Sequence, residues 1–323
     1  MKCALVTGAT GFIGGRLVKA LCEANIRVKA LSRYGAVDGV SAGGRVIPVV
    51  ADLTQAASID KVCADVETVF HLAGYAHAAE ANDKRAAMIH HNLTVEGTRA
   101  LLAEARRARA KRFIFVSSAK AIGEGGEECV DEAVEASPIT EYGQAKLEAE
   151  RLVFALGREC GMQVCILRLP LVYGPGVKGN LLRMINAIDR GRFPPVPDVK
   201  NKRSMVHVDD VVRVLCLAAE NPRADGEIYF VTDGRGYSTY EICSLMRRAL
   251  GRSEPKWNLP LGVLKAAAGI GDVIGGIRGR PFFFNSFTLD KLVGSAWYSS
   301  EKIKRDFGFR PTHTLETALP EIV

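Results

Sequence analysis

Residues 2–14 read Lys2-Cys3-Ala4-Leu5-Val6-Thr7-Gly8-Ala9-Thr10-Gly11-Phe12-Ile13-Gly14, and the residues that follow take up helical spacing. A short apolar run that ends in a glycine-punctuated turn and opens into a helix is the start of a βαβ unit. Glycines at 8, 11 and 14 remove side chains where the turn is tight, where a pyrophosphate comes close and where helix meets strand. The first turn of the helix then offers backbone N–H groups and a partial positive charge to an anion. Gly8, Thr10, Gly11, Phe12, Ile13 and Gly14 are therefore the candidate phosphate cradle of a dinucleotide site. A glycine-rich turn alone says little. Its position between a strand and a helix makes the reading specific.

Working outward, 27–32, 45–52, 66–73, 112–118 and 163–170 are further short apolar runs. Helical patterns lie between them, clearest at 92–109 and 141–159. Continuous rather than alternating apolar runs suit a parallel sheet covered on both faces. Strands alternating with helices predict an α/β, Rossmann-type doubly wound sheet, which 227–232 extends. After Pro170 the texture changes: 174–179 is glycine-rich, Pro194, Pro195 and Pro197 punctuate a loop, and helical patterns return at 208–220 and 239–250. The expected layout is a dinucleotide-binding domain at 1–172, its sheet completed by 204–233, with 173–323 mainly a smaller substrate-binding lobe.

Composition narrows the partners. Lys+Arg 43 against Asp+Glu 36 gives a net charge of +7. The basic residues are scattered, apart from short runs such as Arg106-Arg107 and Lys111-Arg112, which argues for a solvated surface and against nucleic acid. None of the eight cysteines has CxxC spacing and most sit in apolar runs, so reduced, buried thiols in a cytoplasmic setting are expected. The chain enters its first strand with no signal-peptide layout. The apolar stretch 259–277 carries Lys265, Asp272 and several glycines, so it reads as a buried or interfacial helix, not a membrane span. The histidines, His71, His77, His90, His91, His207 and His313, form no HxH or HExxH pattern, and His90 and His91 point to different helix faces. No metal is expected, and no GxSxG nucleophile elbow occurs.

The second strand ends at Ser32-Arg33, where an NAD-selective site carries an acid. A guanidinium can pair with a 2′-phosphate, which puts NADP(H) ahead of NAD. Asp52 and Leu53, ending the third strand, are placed to meet the adenine. Tyr142 and Lys146 stand four apart on a helix and share one face. A nearby ammonium lowers a phenol pKa that starts near about 10, making the phenol a usable proton donor and acceptor. Ser118 ends the fifth strand, at the carboxyl edge where such sheets bind ligands, and can orient a carbonyl or alcohol. Lys120 either touches substrate or is a solvated loop residue.

With TGATGFIG (7–14), HLAG (71–74), HNLTVEGT around Asn92, VSSAKAIGE (116–124), YGQAK (142–146), LRLPLVYGPGVKGN (167–180) and RSMVHVDD (203–210) in this order, the chain resembles the extended short-chain dehydrogenase/reductase family, especially its nucleotide-sugar 4-epimerase and 4-ketoreductase group. The match runs to about Thr232 and weakens beyond. The resemblance implies that Gly8, Gly11 and Gly14 hold the pyrophosphate and that Leu72, Ala73 and Gly74 line the cofactor. Pro170 to Val172 would lie beside the nicotinamide, and Ser118, Tyr142 and Lys146 would be catalytic. Asn92 resembles a structural or relay asparagine of the site. Asn180 and Arg203 resemble contacts to the sugar-nucleotide diphosphate; a guanidinium fork suits phosphate, and Asn180 equally suits a helix N-cap. Family members that eliminate water carry an Asp–Glu pair after the catalytic serine or threonine. Ala119-Lys120 stands there instead.

The implied chemistry is 4-reduction of a UDP-linked 4-keto-6-deoxy-hexose(amine) for surface polysaccharide. UDP-sugar 4-epimerisation with retained NAD is the alternative, and a hydroxysteroid- or flavonol-type dehydrogenase, suggested by 259–277, is a further one. A non-catalytic redox sensor fits poorly with an intact Ser–Tyr–Lys set. The resemblance also implies a homodimer through the helices at 92–109 and 142–159.

Overall fold

The computed structural model describes residues 1–35, 44–74, 84–123, 125–280, 282 and 284–323; at 84–86 this concerns the backbone alone. His77 and Glu124 of the sequence reading lie outside the described residues. In chain order the first half comprises β1 (Cys3–Thr7), α1 (Phe12–Glu23), β2 (Arg27–Ser32), β3 (Val46–Val50), β4 (Thr68–His71), α2 (Lys84–His90), α3 (Gly97–Arg107), β5 (Arg112–Ser118), α4 (Glu141–Cys160) and β6 (Gln163–Leu169). The second half comprises β7 (Leu171–Tyr173), α5 (Asn180–Asp189), β8 (Arg203–His207), α6 (Val208–Glu220), β9 (Glu227–Phe230), β10 (Gly236–Tyr237), α7 (Thr239–Ala249), α8 (Leu261–Arg278), α9 (Ser286–Val293), α10 (Glu301–Phe307) and α11 (Leu315–Ile322).

Seven strands form one parallel sheet in the order β3-β2-β1-β4-β5-β6-β9. Every residue of β1 and β4 is buried, as expected for central strands covered on both faces. Helices α1 and α6 pack against each other on one side, and α3 against α4 on the other. The amphipathic pattern of α1 buries Leu17, Val18 and Leu21 in the first of these cores, while Leu101, Leu102 and Val153 serve the second. The register places Thr7 beside His71 and Ser118 beside Leu169. Thr7, His71 and Ser118 are thereby aligned along the carboxyl edge.

Two departures from the sequence reading have physical causes. The apolar run VIPVV looks like a covered strand, yet β3 is the sheet edge, with Ile47 and Val50 exposed. Pro48 cannot donate to a ladder and is tolerated there because one side of an edge strand needs no partner. Of the segment 204–233, only β9 completes the main sheet. β8 instead joins β7 in parallel and β10 antiparallel in a second, three-stranded sheet, around which α5, α7 and α11 gather a separate core.

Asp233, just beyond β9, stitches the two sheets together. Its Oδ2 accepts the hydroxyls of Tyr173 (3.0 Å) and Tyr237 (2.8 Å). Burial pushes the Asp233 carboxyl up to about 6, outweighing the Arg235 amide and the two phenols that favour the ionised form. A carboxyl raised on folding stabilises fully below its unfolded value near 3.9 and loses that contribution as pH rises through about 6. Asp233→Asn keeps an acceptor for both phenols and removes the titration. Thermal melts between about pH 4 and 7 should fall less steeply for this variant than for the native chain. Parallel slopes would show that Asp233 does not set the dependence.

Candidate active site

The turn after β1 is built from close backbone approaches. Gly8 has φ +67°, and a β-carbon there would stand 3.0 Å from the Ala73 amide nitrogen. A β-carbon on Gly14 would lie 2.1 Å from the Gly8 carbonyl oxygen, closer than any side chain permits. The Gly11 amide donates to that same oxygen at 2.9 Å. Gly11 is also the N-cap of α1, with no side-chain cap and no acid in the first turn. The opening N–H groups of the helix are therefore left for an anion. Thr10 and Gly11 are exposed at the rim, while Phe12 and Ile13 are half-buried beneath.

This cradle stands where the sheet order reverses between β2-β1 and β1-β4, the place where open α/β sheets bind dinucleotides. Thr7 closes its floor. Its hydroxyl accepts the amides of Leu72 (3.2 Å) and Ala73 (3.1 Å) and donates to His71 Nδ1 at 2.7 Å. His71 Nε2 then donates to Thr98 Oγ1 at 3.0 Å, and Thr98 donates to the Thr94 carbonyl. Burial pushes the His71 pKa down to about 3, and the Lys146 charge adds to the effect. The ring is neutral, and these partners define its tautomer. The Leu72–Gly74 segment is held without placing a charge beneath it. At the far end, exposed Arg33 stacks on Tyr34, 5.5 Å to the ring centroid. Asp52 accepts the Thr54 amide (2.9 Å) and hydroxyl (2.8 Å), which lowers its carboxyl pKa, and Leu53 is buried under Gly97.

Helix α4 brings the second cluster together. Thr140 caps it by accepting the Gly143 amide at 3.2 Å. A β-carbon on Gly143 would stand 2.4 Å from the Lys120 carbonyl oxygen and 2.9 Å from Pro138. The helix start is thus pressed onto the 3-10 turn Ala119–Ile122 that follows β5. That contact sets Tyr142 within hydrogen-bonding reach of Ser118. Burial raises the Tyr142 phenol above its usual range and the Ser118 hydrogen bond opposes the rise, whereas the sequence reading expected Lys146 to pull it down. Lys146 is fully buried instead, donating from Nζ to the Val116 carbonyl at 3.0 Å and lying 4.7 Å over the Phe115 ring. Burial brings its pKa down to about 8 against the opposing charge of Glu150. A β-carbon on Gly74 would be 3.4 Å from Lys146 Nζ, so the ammonium borders the Leu72–Gly74 segment.

Other predicted residues serve differently. Lys120 is half-buried, and its amide donates to Ser118 Oγ at 3.2 Å. Asn92 is exposed in a π-helical turn, His91–Glu96, between α2 and α3. The residue that packs on Tyr142 is buried His90, edge to face at 5.4 Å. Pro170 and Val172 are half-buried at the β6–β7 junction. Asn180 is the first residue of α5, with Gly179 as N-cap, so it does not cap the helix; its Oδ1 accepts from Arg183 at 3.4 Å. Arg203 spends Nη1 on the carbonyls of Lys291 (2.7 Å) and Gly294 (3.0 Å), tying β8 to the C-terminal lobe.

His207, Asp209 and His313 meet with their ligand atoms within 4.8 Å of one another, a grouping that sequence spacing does not reveal. Arg16 already pairs with Asp209 at 2.7 Å, and His207 Nδ1 accepts the Asp209 amide at 3.3 Å. This is a helix cap joined to an ion pair. The roles of Gly143, His90 and the Glu150–Arg168 pair were not read from the sequence; of these only Gly143, inside YGQAK, carries a local signal.

Fold and site together define a dinucleotide-binding oxidoreductase of the extended short-chain dehydrogenase/reductase type. A family model described as the NAD dependent epimerase/dehydratase family matches residues 4–232, and the chain belongs to that family. It is 29% identical over 319 residues to a UDP-glucose 4-epimerase of Vibrio cholerae, covering 98% of this chain and 92% of that one. It is 31% identical over 271 residues to a 4-hydroxy-2-methyl-3-oxo-4-farnesyl-3,4-dihydroquinoline-1-oxide ketoreductase of Stigmatella aurantiaca, covering 83% and 79%. Among solved structures, MoeE5 in complex with UDP-glucuronic acid and NAD superposes with a TM-score of 0.79 at 25% identity, over 99% and 97% of the two chains.

Gly14→Ala should force the cradle apart. Calorimetric titration is expected to show NAD affinity down at least about tenfold, with overpacking lowering stability by about 1–3 kcal/mol. Native-like NAD affinity would mean that the Gly8–Gly14 approach does not shape the site.

Proposed function

We propose that this enzyme interconverts alcohol and ketone at C4 of a UDP-linked sugar, with 4-epimerisation as the net reaction and NAD as the cofactor. The observation that carries the reading is the gathering of Ser118, Tyr142 and Lys146 between β5 and α4, beside an uncapped helix N-terminus fit for a pyrophosphate. The names of the Vibrio cholerae relative and of the MoeE5 complex support a UDP-sugar and NAD.

Bound nicotinamide dinucleotide supplies hydride exchange at the sugar carbon; everything else falls to the chain. Ser118 holds the sugar oxygen. In epimerisation Tyr142 takes the proton of the C4 hydroxyl and later returns it to the carbonyl oxygen; burial, which raises the phenol, favours the return. Taking the proton requires the phenolate, which the Ser118 hydrogen bond favours against burial. With its pKa at about 8, Lys146 is mostly an ammonium at neutral pH. Leu72, Ala73 and Gly74, with Pro170 and Val172, would flank the nicotinamide half, and Asp52 and Leu53 the adenine. Lys120, Asn180 and Arg203 are assigned to the substrate side. Ala119 and Lys120 follow Ser118, so the acid–base pair needed for elimination of water is missing from that position.

One observation favours a second reading, 4-ketoreduction with NADP(H). Arg33 follows β2 with its side chain exposed, and a guanidinium there would suit a 2′-phosphate.

Tyr142→Phe removes the transferable proton and leaves the ring. Turnover of whichever UDP-hexose the native enzyme accepts should fall by about 10²–10⁴, with NAD affinity kept; unchanged turnover would overturn the assignment. Chromatography of nucleotide released from freshly purified, denatured protein separates the two readings. Retained NAD is expected for the epimerase. An empty site that prefers NADPH, with the preference lost in Arg33→Ala, would establish the reductase instead.

A further inference from the structure

Helix α8 spans 18 residues, of which only Leu264, Ala268 and Gly271 are buried. These face α9, and the fit is close: a β-carbon on Gly271 would lie 1.8 Å from the Phe284 carbonyl oxygen. The opposite face is unlike the outer face of a solvated helix, where charge normally stands. Val263, Ala266, Ile270, Val273 and Ile277 fall within an arc of roughly 80° at helical spacing. Val263 is 51% exposed, Ile270 63%, Val273 63% and Ile277 82%. Lys265, Asp272 and Arg278 all lie outside that arc. Trp257, 61% exposed, stands just before the helix. A contiguous apolar patch of this kind marks an interaction surface.

The flanking charge identifies what covers it. Between residues 255 and 282 stand Lys256, Lys265, Arg278 and Arg280 against the single acid Asp272. The Asp272 carboxylate is itself occupied by the amide (3.2 Å) and hydroxyl (2.5 Å) of Ser286. A second copy of the chain is a poor fit: whether two α8 helices ran parallel or antiparallel, basic flank would meet basic flank. A negatively charged, apolar-backed surface satisfies both features. No helix among the described residues is long and apolar enough to cross a membrane; a helix with an exposed apolar face, a tryptophan before it and basic residues flanking it has the make-up of one that lies in the interface.

We infer that α8 is an interfacial helix that docks this enzyme on anionic phospholipid bilayers. The full-length protein should co-sediment with vesicles of mixed phosphatidylglycerol and phosphatidylcholine and remain in the supernatant with phosphatidylcholine alone. Salt should weaken binding. Ile270→Asp together with Ile277→Asp alters only exposed positions and should weaken vesicle binding by about tenfold or more. Circular dichroism melts confirm that the variant is folded. Arg278→Glu with Arg280→Glu should remove the preference for anionic lipid. Failure of the native protein to sediment with anionic vesicles would overturn the inference. So would equal binding by the folded Ile270/Ile277 variant, or a native dimer that this variant converts to monomer, which would give the face to a second copy. All three readouts are independent of turnover, so they stand apart from the reading of the active site.

Discussion

The rest of the N-terminal half depends on the approach of Gly14 to the Gly8 carbonyl, where a single added carbon would lie 2.1 Å from the oxygen. Helix α1 can begin where it does only because neither residue has a side chain. That position lets Leu17, Val18 and Leu21 fall into the core against α6, and it aims the uncapped helix start along the carboxyl edge of the sheet. Packing and anion binding are therefore not separate demands on this turn. One steric condition meets both.

A second constraint works from beneath the Ser118–Tyr142–Lys146 cluster. Glu150, one turn beyond Lys146, accepts from Arg168 at 3.1 and 2.7 Å and from the Ser117 hydroxyl at 2.5 Å, and all three residues are buried. A buried ion pair adds little net stability over a well-packed apolar alternative, but leaving one partner uncompensated costs about 3–5 kcal/mol. Its value here is positional: it fixes α4 against β5 and β6. Lys146 is then carried to the Val116 carbonyl, and Tyr142 to Ser118. The charge of Glu150 also opposes the desolvation of Lys146, so the same pair that sets the helix helps keep the ammonium.

Much of this was legible in the sequence because it is local. The strand–turn–helix at the start and the four-residue spacing of Tyr142 and Lys146 each lie within one stretch of chain. The strands β2, β5 and β6 and the helices α4, α6 and α7 fall within two residues of the expected bounds. What escaped depends on pairing across distance. VIPVV is apolar whether a strand is central or at an edge, and only the neighbours decide. β8 has the texture of a main-sheet strand, but β7 captures it in a second sheet. His90 reaches Tyr142 because α2 packs on α4, a relation that no spacing in the sequence encodes. The expected help from Lys146 to the phenol failed for a related reason: helical periodicity places the two residues on one face but does not show that burial dominates there.

The two halves of the molecule meet through Arg16. From α1 its guanidinium reaches Asp209 at the start of α6 and the Pro175 carbonyl, both at 2.7 Å. These side chains are 31% and 44% exposed, so the ion pair itself contributes no more than about 1 kcal/mol. Its importance is geometric. Pro175 lies in the glycine-rich passage that leads from β7 to α5, and Asp209 stands beside His207, which caps α6 and stacks on His313 of the segment before α11. The helix that would carry the cofactor phosphates thus fixes the chain entering the second core and the chain leaving it. In the proposed reaction the N-terminal sheet would carry the chemistry and the lobe built on β7, β8 and β10 would meet the substrate. The joint between them runs through α1, so the lobe proposed to choose a substrate is aligned by the helix proposed to hold the cofactor.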